Sequence, residues 1–232
     1  MIKEILKQIK SKENPKNVEG MKRFGINTGE MYGLSTNELK EIAKKHKKNH
    51  ELALELWDTE IYEARVIAFF IDDAEKVSEE QMEKWGRDFD NWATCDGCIL
   101  HLFAQTKYAY KKAVQWARKK EEFIKRAGFV LMAVLAVHDK KAEDDKFQKF
   151  FPLIEKASDD ERNFVKKAVN WALRQIGKRN INLHKEAIKL AEKIKQQDSK
   201  SAKWIANDAL REFRSETTKR ILERRKKTIA HR

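Results

Sequence analysis

Five nine-residue segments of this chain align with one another, and that repetition constrains the fold more than any other feature. They cover residues 62–70, 93–101, 123–131, 164–172 and 204–212. At one shared column stand Arg65, Asp96, Arg126, Lys167 and Asn207, roughly 30 to 40 residues apart. That spacing belongs to two-helix repeats. A single repeat of this kind cannot bury its apolar face, so stacked neighbours supply the core. The expected fold is all-α, a helical-repeat solenoid whose second helices line a concave face, made basic by the cations of the shared column.

Other signals agree with helices. The chain has only 8 Gly and 2 Pro in 232 residues, which disfavours a turn-dense β fold. Ile2, Ile5, Leu6 and Ile9 mark a first amphipathic helix that ends near Pro15. Gly20, Gly25, Gly29 and Gly33 punctuate residues 20–35, which read as one long irregular stretch. Their spacing is neither a P-loop nor a dinucleotide fingerprint. Ser35-Thr-Asn-Glu38, Ser78-Glu-Glu-Gln81 and Ser158-Asp-Asp-Glu161 each carry the capping-box pattern, and each predicts a helix start. The repeat length is that of HEAT units. The reading is a single α-helical repeat domain over 1–232. Within it lie N-terminal helices and a Gly-rich loop (about 1–50), HEAT-like repeats (about 51–214), and a basic C-terminal helix or tail (about 215–232).

Charge narrows the partner. The net charge is +13, with 38% of residues charged and 41% hydrophobic. A basic excess of this size points to a polyanion, most often nucleic acid, against the bland reading of a lysine-rich source. The longest apolar run, 129–137, is too short to span a bilayer, so no membrane association is expected. The charged N-terminus lacks a signal-peptide core, which predicts a cytoplasmic, nucleoid-associated protein, with a monomer as the default. Cys95 and Cys98 form one C-x-x-C with no second pair to complete a zinc site, and read as small helical residues in a reducing compartment. The six histidines are scattered, and no serine-nucleophile motif occurs. No metal or other cofactor is expected.

Asp96 is the anomaly. It replaces a cation in the repeat column, and on a phosphate-binding face a carboxylate weakens binding, so its presence there needs another reason. Trp92 lies four residues earlier and shares its helix face. Trp171 follows Lys167 by one turn and is the second aromatic candidate. Trp57, Trp85, Trp116 and Trp204 read as packing residues. Arg65, Arg126, Lys166, Lys167, Arg174, Lys178 and Arg179 are the candidate phosphate contacts, with Arg126 foremost. The C-terminal segment from Thr217, with Lys219, Arg220, Arg224, Arg225, Lys226, Lys227 and Arg232, is either a basic helix on phosphates or a solvated tail.

Three stretches carry a family resemblance: Phe89-Asp-Asn-Trp-Ala-Thr-Cys-Asp96, Phe123-Ile-Lys-Arg126 and Phe164-Val-Lys-Lys-Ala-Val-Asn-Trp-Ala-Leu-Arg174. With the segment from Met21 to Ser35, they make the chain resemble the AlkD-type DNA alkylation repair glycosylases, all-helical proteins of HEAT-like repeats. The resemblance implies that Asp96 is the catalytic acid, that Trp92 and Trp171 are active-site aromatics and that Arg126 is the basic residue beside them. It implies excision of cationic N3- or N7-alkylated purines from DNA, duplex DNA being the expected partner, without metal or nucleotide cofactor; no lysine is clearly placed for a Schiff base, so a monofunctional glycosylase is expected. The alternatives are a DNA-binding HEAT-repeat protein without catalysis and a protein-binding HEAT scaffold.

Overall fold

The structure is a computed structural model that describes residues 1–26 and 29–230, without the side chains of 226–230. Asn27 and Thr28 of the glycine-rich stretch, and His231 and Arg232 of the basic tail, lie outside the described residues, as do the side chains of Lys226 and Lys227. Among the described residues every regular element is helical. The chain divides into two compact units, residues 1–109 and 110–232.

The first unit holds α1 (Ile2–Ser11), α2 (Pro15–Arg23), α3 (Thr36–Ala43), α4 (His50–Trp57), α5 (Tyr62–Ile71), α6 (Glu79–Arg87) and α7 (Trp92–His101). The expected first helix is α1, and it buries Ile5 and Ile9. Pro15 does more than stop it. Proline lacks an N–H that the first helical turn would leave unused, and Pro15 opens α2 behind the Asn14 cap. The irregular stretch therefore begins only after Arg23, because Gly20 lies within α2. The capping box at Ser35 forms in full and opens α3. Ser78 likewise caps α6 by accepting from the Gln81 backbone N–H.

The core of this unit is α5, buried along nearly its whole length and packed against α3, α4 and α7. Trp57 and Trp85 stack face to face with centroids 3.9 Å apart, and the Trp57 indole N–H donates to Asp88 at 2.8 Å. Both rings are fully buried, as expected for packing residues.

The second unit contains α8 (Ala109–Ala117), which begins at the boundary, then α9 (Glu122–His138), α10 (Asp144–Gln148), α11 (Phe151–Ala157), α12 (Asn163–Gly177), α13 (Ile181–Lys195), α14 (Lys200–Phe213) and α15 (Glu216–Ala230). The apolar run that was too short for a membrane is the interior of α9, buried from Arg126 to Ala136 and packed along α12. Among the described residues no helix is long and apolar enough to cross a membrane.

Ser158 corrects one expectation. It ends α11 instead of starting a helix, and its hydroxyl donates to the Glu155 carbonyl. The box fails because Glu161 is drawn to another repeat, where it accepts from the Ser199 hydroxyl and the Ser201 N–H at 2.9 Å each, at the start of α14. The next helix, α12, starts only at Asn163. The basic segment is helical to Ala230, and Arg225 donates to the Lys178 carbonyl at 2.5 Å.

Gly128 allows a close backbone approach between α8 and α9. A Cβ there would lie 2.3 Å from the Ala117 nitrogen and 2.8 Å from the Trp116 carbonyl carbon. Backbone atoms cannot yield as a flexible side chain can. Gly128→Ala is expected to cost about 1–3 kcal/mol by overpacking, lowering the melting temperature by roughly 2–10 °C. Circular dichroism melts of the purified variant measure it, and an unchanged transition would show that α8 and α9 are not packed this closely.

Candidate functional site

In the first unit the site starts from a cap. Asn91 is fully buried and accepts from the Thr94 N–H at 2.9 Å, while its own amide donates to Asp90 and to the Thr94 hydroxyl. This fixes Trp92 as the first residue of α7. Thr94, Cys95, Cys98 and Ile99 then form the buried stripe of the helix. Four-residue spacing leaves Trp92, Asp96 and Leu100 on the opposite side. Trp92 and Asp96 are both half-buried. Beside Asp96, a Cβ on Gly97 would meet the Phe69 ring at 2.6 Å, so α7 lies tight on α5 there.

Both cysteines are buried, and burial pushes the Cys98 thiol well above its ordinary value. They pack as small residues. Among the described residues no cluster of three or more His, Cys, Asp or Glu side chains could hold a metal.

Described residues of the glycine-rich segment are tied to α5 and α7. The Trp92 indole N–H donates to the Phe24 carbonyl at 2.8 Å. Glu63, fully buried in the first turn of α5, accepts backbone N–H groups of Tyr32, Gly33 and Leu34. The Tyr62 N–H donates to the Glu30 carbonyl at 3.0 Å. Gly33 has φ +81°, and a Cβ there would sit 2.4 Å from the Asn14 carbonyl oxygen, so only glycine fits. Burial pushes the Glu63 carboxyl above its ordinary value, against the pull of these amides. Sequence reasoning missed Glu63 because an acid at the start of a helix ordinarily serves its own N-terminus.

The shared column does not form one kind of surface. Arg65 is 8% exposed and points at the Trp57 and Asp88 carbonyls, with its guanidinium over the Trp57 ring. In the second unit Arg126 is 6% exposed and donates to the Phe164 carbonyl of α12 at 2.6 Å. Lys167 and Asn207 are exposed. Two of the column's cations therefore stitch helices within their own units.

The remaining candidates all belong to the second unit. Trp171 is half-buried on α12. Arg174 pairs with Glu212 at 2.5 Å and Asp208 at 3.6 Å, and Lys178 also pairs with Glu212. Arg179 donates to the Ala136 and Ala142 carbonyls and lies over the Phe147 ring. Lys166 is half-buried over Trp204, leaving Lys167 the exposed cation among the seven candidate phosphate contacts. The acids facing Arg174 and Lys178 were legible. Asp208 and Glu212 stand four apart on the next repeat helix and match the two cations, also four apart. Trp204 departs from its expected packing role, being 41% exposed.

Burial raises the Glu212 carboxyl, but Lys178 and Arg174 outweigh it and hold the group below its ordinary 4.5. A carboxylate depressed in the folded state stabilises it fully above the unfolded value and loses that contribution as pH falls through the folded one. Melting temperature should therefore drop less steeply from about pH 5 to about pH 3 in Glu212→Gln than in the parent chain. Parallel slopes would mean that the ion pairs contribute nothing.

A family model described as "DNA alkylation repair enzyme" matches residues 5–213. An uncharacterized protein of Listeria innocua is 24% identical over 194 residues, which is 81% of this chain and 83% of that one. An uncharacterized protein of Listeria monocytogenes is 22% identical over the same shares. A solved structure with TM-score 0.72 and 22% identity covers 90% of this chain and 94% of its own. It is described as a new family of proteins related to the HEAT-like repeat DNA glycosylases with affinity for branched DNA structures. The all-helical, HEAT-like fold expected from the repeats is the fold of that neighbour.

Proposed function

The chain belongs to the DNA alkylation repair enzyme family, and from that premise we propose that it is a monofunctional DNA glycosylase acting on cationic N3- and N7-alkylated purines. The observation that carries the reading is the half-buried pair on the outer side of α7, Trp92 and Asp96, in a chain of net charge +13. An alkylated purine already carries a positive charge and leaves readily. Cleavage of its N-glycosidic bond puts oxocarbenium character on the deoxyribose, while the bonding electrons go to the base. Asp96, as a carboxylate, stabilises that cation and orients the water that adds to the sugar carbon. Trp92 presents an electron-rich ring to the same developing charge, and its N–H is held by the Phe24 carbonyl.

Lys167, exposed and on the second unit's repeat helix, is the cation best suited to a phosphate. Arg174, Lys178 and Arg179 are held by partners within the protein and contribute less. Arg126 acts first as an internal tie to Phe164, so its removal costs folding before it costs binding. Trp171 remains the second aromatic implied by the family and is assigned to the reaction on that basis alone.

A second reading draws on the neighbour's described affinity for branched DNA. In it, this chain binds DNA without cutting the glycosidic bond. Release of 7-methylguanine and 3-methyladenine from methylated duplex separates the two. Asp96→Asn is expected to lower release at least about a hundredfold, with duplex affinity within about twofold. No release by the parent chain, with salt-dependent DNA binding intact, would leave the second reading standing alone. Lys167→Ala should flatten the dependence of log affinity on log salt by about one counterion in titrations of duplex binding.

A further inference from the structure

The first position of the aligned segments is aromatic in four of five copies: Tyr62, Phe123, Phe164 and Trp204, with Ala93 in the remaining one. In the second unit these rings follow one another from repeat to repeat. Phe123 and Phe164 meet with centroids 5.3 Å apart. Lys166, two residues after Phe164, carries its ammonium 5.4 Å from the Trp204 ring centroid. Trp204 is the ring left 41% exposed, while Phe123 and Phe164 are half-buried.

An isolated exposed aromatic needs no explanation. The surroundings of this one are unusual. Lys200 and Lys203 flank it on α14, Asn207 and Arg211 continue its helix face, and Lys167 stands exposed beside Lys166 on α12. Two acids lie nearby: Asp208 is engaged by Arg174, Arg211 and Asn170, and Glu161, close enough to Lys166 to feel its charge, accepts from the Ser199 hydroxyl and the Ser201 N–H. An open indole ringed by cations matches the two needs of an unpaired nucleotide, a flat surface for the base and positive charge for its phosphate. A matched duplex keeps its bases stacked and has little use for the indole.

We propose that Trp204 and Lys166 form a stacking platform for unpaired bases, so that the second unit distinguishes DNA with unstacked nucleotides from matched duplex. This rests on the DNA-binding part of the proposed function, not on catalysis. The base stacks on the exposed part of the indole, and Lys166, Lys167 and Lys203 lie along the strand. Lys203 gives up its 3.2 Å pair with Asp198, an exposed contact of little worth.

The test is fluorescence anisotropy with three labelled probes: a 20-nucleotide oligothymidine, an abasic oligonucleotide of the same length, and a matched 20-base-pair duplex. Trp204→Ala is expected to weaken oligothymidine binding about tenfold, with less than about a twofold change on the abasic strand and the duplex. Trp204→Phe should recover most of the loss, and Lys166→Ala should show a smaller loss on the same probe. Equal losses on oligothymidine and the abasic strand overturn the proposal, because the indole would then not be reading bases. Unchanged binding in Trp204→Ala overturns it as well. A parent chain that binds duplex but not oligothymidine removes the platform and leaves the proposed function intact. One that binds none of the probes removes both.

Discussion

No helix in this protein can hide its apolar stripe alone, and most of what is distinctive about the chain follows from that. The interior of α9 is buried from Arg126 to Ala136, with α12 packed along it and α8 approaching at Gly128. In the first unit α5 is in the same position among α3, α4 and α7. Burial on this scale, at about 25 cal/mol per Å² of apolar surface, is the main favourable term in folding. It also fixes helix rotation. Once Cys95, Cys98 and Ile99 turn inward on α7, Trp92 and Asp96 are turned to the other side.

Close stacking creates a polar problem, and the repeat column solves it in two different ways. Arg65 and Arg126 are drawn inside, where their guanidinium groups satisfy carbonyls that neighbouring helices leave available. Buried carbonyls without donors are costly, and a guanidinium with five N–H groups can serve several at once. Further along, Arg174 and Lys178 meet Glu212, and Asn170 donates to Asp208 at 2.7 Å. The net positive charge is therefore not all on offer to a polyanion. Part of it binds one repeat to the next, while Lys167 and the α14 lysines stay exposed.

In the first unit, described parts of the glycine-rich segment are fastened to α5 and α7. Glu63 gathers three backbone N–H groups, and Trp92 holds a fourth point through the Phe24 carbonyl. Both anchors come from helix starts, where the chain direction is already set. The Phe24 side chain stays 76% exposed while its backbone is held in place. A loop so fastened limits how Trp92 can rotate, which suits the role proposed for that ring.

The sequence by itself determined the helical class, the repeat spacing and several helix starts, because these depend on local periodicity and on caps made within a few residues. Ser35 and Asn91 cap their helices through atoms three residues away, and Trp57, Trp85 and Trp116 sit in the apolar stripes where their spacing put them. Contacts from other repeats decided the rest. Glu161 left its own capping box for Ser199 and Ser201, Arg126 turned inward to Phe164, and Lys166 came to lie over the Trp204 ring. Each of those outcomes depends on a partner roughly 40 residues away, and local sequence carries no record of it. Asp96 was visible as a broken pattern from the start; its half-buried place beside Trp92 was set only when α7 packed on α5.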